Sequence, residues 1–451
     1  MILKFFLIIF LSANASAQNL AIIKIGDADL EKDNIVIQNA VVSEGLDPIS
    51  KKNAESLGTI IRNDFSFYKN LFNVIDPAVG PASLKTPPMY SFWQQKKIRY
   101  LVSLKVSVEP VKKGEVVKAA SSIFTAELFD VRDKKSLMSI EGKLPTVEDR
   151  STAHRISTKL FKHFTGKPSI FESKIVYVSD RTSKGTRLRK ELYIMDYDGQ
   201  GSRQLTRHGG TVVSPAISYD GSKIVYSLID GNRRKKRNVN LRIFDLKSGS
   251  SKLLSSRSGM NSGAVFSPDG NSIVLTLSHT GNAEIYRMNL NSKKLTGITR
   301  HYAVDVDPNV SVSGDQMAFL SDRSGKPNIY INDPRGEEKS VKRVSFVGEF
   351  TATPRFSPDG KHIAFSAWLD NRFDIFRIDS DGDNLYRLTK DFGSNEDPTY
   401  SNDGEFIAFS SQRVLSRTSA VQNIYIMDKG GEIIGQVTKG LGNCITPRWS
   451  K

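Results

Sequence analysis

The sequence predicts an α+β N-terminal domain followed by an all-β, six-bladed β-propeller, and three observations predict it. A turn glycine returns at roughly 45-residue intervals, at Gly221, Gly270, Gly314, Gly360 and Gly404. A strand phrase returns six times, as Glu191-Leu-Tyr-Ile-Met-Asp196, Asn240-Leu-Arg-Ile-Phe-Asp245, Glu284-Ile-Tyr-Arg-Met-Asn289, Asn328-Ile-Tyr-Ile-Asn-Asp333, Asp374-Ile-Phe-Arg-Ile-Asp379 and Asn423-Ile-Tyr-Ile-Met-Asp428. Finally, the first unit opens at Lys174–Ser179 as a second strand with no first strand before it. The chain ends in Pro447-Arg-Trp-Ser450, a spare copy of Pro354-Arg-Phe-Ser357. The C-terminal strand therefore closes blade one, and removing the last five residues is expected to open the ring.

Within a unit the elements follow in order. In the fifth, Pro354–Ser357 is a short strand A, and Pro358-Asp359-Gly360 is a tight turn, with Pro presetting φ and Gly tolerating positive φ. His362–Ser366 alternates as strand B, and Asp374–Asp379 is strand C. Asp381-Gly382 turns the chain into strand D, Tyr386–Thr389. One blade cannot bury both of its faces alone. Stacking around a ring does so, and closure removes the free edges.

Upstream of the repeat, residues 1–17 read as a secretory leader. Lys4 gives a basic start, Phe5–Leu11 an apolar run too short to span a bilayer, and Ala15-Ser-Ala17 a small-residue cleavage site. No cysteine follows that box, which argues against a lipid anchor. Residues 18–167 lack the repeat and read as a small α/β domain. Asp47–Phe65 carries apolar residues at helical spacing, and Asn73–Ile75 is a short strand. Tyr100–Val108 and Val116–Val131 alternate as strands across a Lys112-Lys113-Gly114 turn. A second helix is expected to start at Thr146, with Asp149 completing its cap, and to end at Gly166. Lys167-Pro168-Ser169 is read as the hinge into the propeller, residues 168–451.

Composition narrows the function. Cys444 is the only cysteine, so no intramolecular disulfide forms and core burial must supply the stability. The formal charge of +16 would suggest nucleic acid in a cytosolic protein. Export, and the lack of a basic–aromatic stripe for stacking bases, argue against it.

With leader, α/β domain and six blades in that order, the chain resembles the TolB family, periplasmic propeller proteins of the Tol–Pal cell-envelope system. The most specific stretch runs from Ala153-His154-Arg155-Ile156 through Phe164-Thr-Gly166 to Phe171-Glu-Ser-Lys-Ile-Val-Tyr-Val178. The resemblance implies a monomeric, non-enzymatic periplasmic adaptor without cofactor or metal, freed of its leader after Ala17. It would bind the peptidoglycan-associated lipoprotein Pal at the propeller mouth. It would bind the periplasmic domain of TolA through its N-terminal segment, here Gln18, Asn19, Leu20, Ile22 and Ile23, whose alternation suits strand addition. Contact with membranes would run through these partners only. The system supports outer-membrane integrity and constriction at division, and bacteriocins exploit it.

In a propeller the D–A and B–C loops share one face, and the A–B turns lie on the other. The segments before each strand A therefore line the mouth, and the expected partner residues there are Met260, Asn261, Gly263, Val306, Asp307, Glu349, Glu396 and Asp397. Met260 stands where many relatives have His, and Val306 where they have a polar residue. Asp305, Asp391 and the acids just named predict an acidic mouth. Arg181, Lys184, Arg187, Arg189, Lys190 and Arg233–Arg237 predict a basic rim on blades one and two.

Enzyme readings fare less well. No G-x-S-x-G elbow exists for a hydrolase. His208, His301 and His279 fall on the mouth face and suggest, as the alternative, a metal-dependent polysaccharide-processing propeller, although no spacing motif joins them. Asp379-Ser-Asp-Gly-Asp383 resembles a calcium loop but reads better as a C–D turn.

Overall fold

The computed structural model describes residues 32–79, 88–109, 122–185, 188–229, 238–335, 338, 340–416 and 419–450. The leader, the Gln18–Ile23 segment, the Lys112–Gly114 turn, Arg187 and Arg233–Arg237 lie outside these residues.

The N-terminal part is one mixed sheet with helices on both sides. It is formed by β1 (Asp33–Ile37), β2 (Val41–Val42), β3 (Phe72–Ile75), β4 (Tyr100–Val108), β5 (Ser122–Asp130) and β6 (Lys135–Lys143). The order is β3-β1-β4-β5-β6, with β2 also on β4; β1 runs parallel to both neighbours, and β4, β5 and β6 form a meander. Helix α1 (Pro48–Phe67) starts where the sequence suggests: Asp47 accepts the Ile49 and Ser50 N–H groups at 3.0 Å, with Pro48 in the first turn. Helix α2 (Tyr90–Gln95) buries Trp93 on the opposite side. Helix α3 (Ser151–Thr165) ends at Gly166 in the left-handed conformation but begins five residues later than expected. Thr146 does not cap it. Asp149 takes the Ser151 N–H at 3.1 Å and its hydroxyl at 2.6 Å, and so fixes the start there.

Beyond Lys174 there are six four-stranded antiparallel sheets. Blade one is built as expected: the C-terminal strand Cys444–Trp449 pairs with Lys174–Ser179, followed by Glu191–Asp196 and Arg203–Gln204. Each strand A leads into strand B through a repeated clamp. Ser357 Oγ donates to Asp359 at 2.5 Å and accepts the His362 N–H at 3.0 Å. The same pattern recurs at Ser218–Asp220, Ser267–Asp269 and Ser401–Asp403. In blade four the acid has moved to Asp315. In blade one Ser450 Oγ accepts the Lys174 N–H at 2.8 Å, so the clamp itself is completed by the two ends of the propeller. Asp379–Asp383 is a C–D turn, closed by Gly382 N–H to Asp379 O at 2.9 Å.

The apolar cores lie between blades, as in the cluster joining Ala318 and Ile329 of blade four to Ile363, Phe365 and Phe376 of blade five. The largest is different. It runs from Leu57, Phe65 and Leu160 of the α/β part through Tyr177 and Tyr193 of blade one to Phe406 and Ile424 of blade six. The α/β part thus sits on the turn face, over the seam where the ring closes. Buried polar contacts fix it there. Tyr68 donates to Asp403 at 2.6 Å, Asp64 accepts Tyr197 Oη at 2.5 Å and His154 Nδ1 lies 3.1 Å from both Asp64 oxygens. Arg150 pairs with Asp198. The junction residues join in, with the Ile170 N–H donating to Tyr68 Oη at 3.2 Å. No helix among the described residues is long and apolar enough to cross a membrane.

Candidate functional site

The mouth face, opposite the α/β part, is shaped by one repeated irregularity. Every strand A carries a β-bulge near its start. Within each bulge one residue has positive φ: Ser214, Gly263, Asp307, Thr353, Asp397 and Thr446, all between 49° and 60°. Five of these six are not glycine, and left-handed backbone at such residues costs about 1–3 kcal/mol each. Bonds between neighbouring blades brace the strands that carry them. Phe356 N–H donates to Asn309 Oδ1 at 2.8 Å, and Trp449 N–H to Thr399 Oγ1 at 3.3 Å, each across a blade boundary. Bulges turn side chains away from the sheet, and here a ring of six borders the channel.

The expected site residues fare unequally. Met260 is 38 % exposed at the rim, and Glu349 is exposed. Val306 is half-buried against the core between blades four and five. Gly263 and Asp307 are ring members in adjacent blades; a Cβ on Gly263 would lie 3.4 Å from Asp307 Cα. Asn261 is fully buried and offers nothing to a partner. Its Oδ1 accepts Ser255 Oγ at 2.6 Å, and its Nδ2 donates to Arg257 O at 2.7 Å, so it holds its loop.

The mouth is also less acidic than its composition suggests. Asp305 is buried and paired with Arg323 at 2.8 Å, Asp307 accepts from Arg355 at 3.2 Å, and Asp391 pairs with Arg372 at 2.8 Å. Asp397 is raised above the ordinary carboxylate range by burial, against the opposing pull of Arg448 and Arg355. Glu396 has no such cation. It occupies a position filled by Val306, Ala352 and Ile445 in blades four, five and one, and burial, then the adjacent Asp397, push it up to about 7. The basic rim is partly tied down as well: Arg181 lies 3.7 Å from the centre of the Tyr193 ring.

What sequence reasoning missed is apolar. Leu188, Tyr302, Val304, Phe346, Val414 and Leu415 are exposed on mouth-face loops, Tyr302 at 85 % and Val414 at 78 %. Val414 and Leu415 lie toward the tip of a long B–C ribbon of blade six, Phe406–Ser416 and Ser419–Asp428. Aromatic residues placed in D–A loops, where no strand alternation demands them, were the signal available. An apolar, solvent-facing rim around such a ring has the composition of surfaces that proteins use to bind one another.

The three mouth-face histidines lie against other side chains or backbone. His208 Nε2 meets Tyr226 Oη at 2.8 Å, and His301 Nδ1 accepts the Ala303 N–H at 3.1 Å. His279 lies against Tyr286. Among the described residues no three His, Cys, Asp or Glu side chains gather to hold a metal ion.

Fold and site together define a six-bladed propeller carrying an N-terminal α/β unit. A family model, the TolB beta propeller domain, matches residues 161–353. The chain is 33% identical over 221 residues to the Tol-Pal system protein TolB of Francisella tularensis subsp. mediasiatica, and to the same degree to that of F. tularensis subsp. tularensis. These alignments cover 48% of this chain, and the chain spans about half the length of these curated relatives, 49%. The likeness in structure is wider. Against TolB from Acinetobacter baumannii the TM-score is 0.72 at 25% identity, covering 93% of this chain and 97% of that one.

Proposed function

We propose that the chain is a non-enzymatic adaptor of the Tol–Pal system, exported to the periplasm with its leader removed after Ala17, and organised as an α/β domain over residues 18–167 and a propeller over 168–451. It binds Pal at the propeller mouth and TolA through the segment Gln18–Ile23, and so supports outer-membrane integrity and constriction at division. The observation that carries this reading is the asymmetry of the propeller. One face is covered at its seam by the α/β part, while the other displays apolar side chains and free carboxylates around an over-determined ring.

Calorimetric titration with the soluble domain of the cognate lipoprotein tests it. Saturable binding is expected, weakened about tenfold or more by Phe346→Ala or Glu349→Arg. These two are cleaner probes than Asp307, whose reversal would also break the pair with Arg355. No binding at high micromolar concentration would overturn the reading.

The two partners are coupled if the N-terminal segment is docked in one state and free in the other. Deleting residues 18–25 then changes lipoprotein affinity; an unchanged affinity rejects the coupling.

A further inference from the structure

The channel has a second end. Among the A–B turns lies a cavity of about 170 Å³ to which all six blades contribute. Its collar is the residue three positions beyond each bulge: Ile217, Phe266, Val310, Phe356, Tyr400 and Trp449. Val312, 37 % exposed, marks its entrance. One position nearer the bulges, the inner wall changes character. Blades two and three supply Ala216 and Val265, blades four and six Asn309 and Thr399, and blades five and one supply Arg355 and Arg448.

Both arginines are 7 % exposed. Arg355 shares Asp307, but Arg448 donates to Pro447 O at 2.7 Å and forms no ion pair among the described residues. Burial, with Arg355 nearby, pushes its guanidinium down to about 10. The carboxylates of Asp397 and Asp307 pull the other way without forming an ion pair with it, so the buried guanidinium keeps room for a directly bonded anion. Around it, Arg355 Nε and Tyr400 Oη are buried without a hydrogen-bond partner among the described residues.

We propose that this end of the channel binds a small monocarboxylate with an apolar tail. The carboxylate meets the guanidinium of Arg448, with Arg355 and Tyr400 as further donors, and the tail lies within the collar. A carboxylate fits the planar donor fork of an arginine. A phosphate would leave the collar unused, a neutral alcohol would leave Arg448 without a directly paired anion, and the volume excludes a folded partner. The site is separate from the mouth, and its failure would leave the adaptor reading untouched.

The test is titration of octanoate into the full mature chain, followed by calorimetry and tryptophan fluorescence, with octan-1-ol as the neutral control. One saturable site is expected, at least about tenfold tighter for octanoate than for the alcohol, since a charged hydrogen bond is at stake. Trp449→Phe should remove the fluorescence change. Arg448→Gln should weaken octanoate about tenfold or more and leave the alcohol unchanged. Val312→Trp, which narrows the entrance without altering charge, should block both ligands and stands as the probe if the Arg448 variant does not fold. No saturable binding, equal affinity for alcohol and acid, or indifference to both substitutions would overturn the proposal.

Discussion

The A–B turns of blades two and six are copies of one clamp with opposite electrostatics. In blade two, Asp220 is mostly exposed and is held down to about 2 by the hydroxyls of Ser218 and Ser222. In blade six, Asp403 accepts the same serine bond at 2.6 Å, yet its carboxyl is raised, burial being the largest cause. The difference is the α/β part, whose cover over blade six desolvates Asp403 by more than the Tyr68 hydroxyl it adds can offset. A local motif therefore sets the turn, and the neighbour decides what the turn's charge costs. The mouth face shows the converse. Among the described residues no second unit covers it, so its loops keep exposed apolar groups and, in Glu396, a carboxylate set in a largely apolar position.

The largest way to break the contrast is at the seam. Deleting residues 447–451 removes Trp449, whose Nε1 donates to Ser173 Oγ at 2.7 Å, and undoes the clamp on Lys174. Loss of a buried Trp alone costs about 3–5 kcal/mol. The deletion should cost at least that in urea unfolding, and the α/β part should lose protection with the propeller because they share a core.

A smaller effect has the opposite sign. Glu396 is raised in the folded state to about 7, so its favourable contribution is full below the unfolded pKa and lost as pH rises through the folded one. Glu396→Gln should stabilise the protein at pH 8 by about 2 kcal/mol, after allowing for partial exposure, and change little at pH 4. Unfolding curves at the two pH values check this.

The smallest effects lie in the turns themselves. Asp220 is depressed, so its contribution is present above the unfolded pKa and lost as pH falls toward about 2. Asp403 is raised, so its contribution fades as pH rises through its folded value. The cost of Asp220→Asn should grow between pH 2 and pH 5, and the cost of Asp403→Asn should shrink as pH rises; thermal melts across that range separate the two.

Most of the architecture was legible because propeller strands are short, local and repeated. Ser357 to Gly360 forms its turn from bonds among near neighbours, and Pro447–Ser450 could be matched to its missing place by likeness alone. The start of α3 was misread because two cap-like acids, at 148 and 149, follow Thr146, and only the Asp149–Ser151 bonds choose between frames. The site was less legible. Asp307 meets Arg355 from 48 residues away, and Asp305 meets Arg323 across a hairpin, so composition gave the acids but not their neutralisation. Asn261 looked like a rim residue for the same reason: nothing local reveals that its amide is wholly used by its own loop. The exposed Tyr302 and Phe346 are visible only once the loops are known to face solvent.

We propose that the mouth face, and not the turn face, takes the protein partner. Hydrogen exchange of the mature chain with and without the lipoprotein's soluble domain tests it most directly. New protection is expected at residues 258–264, 301–307, 346–353 and 391–397, with the A–B turns at 218–221, 267–270 and 357–360 unchanged. Protection confined to those turns, or none at saturating partner, would contradict it.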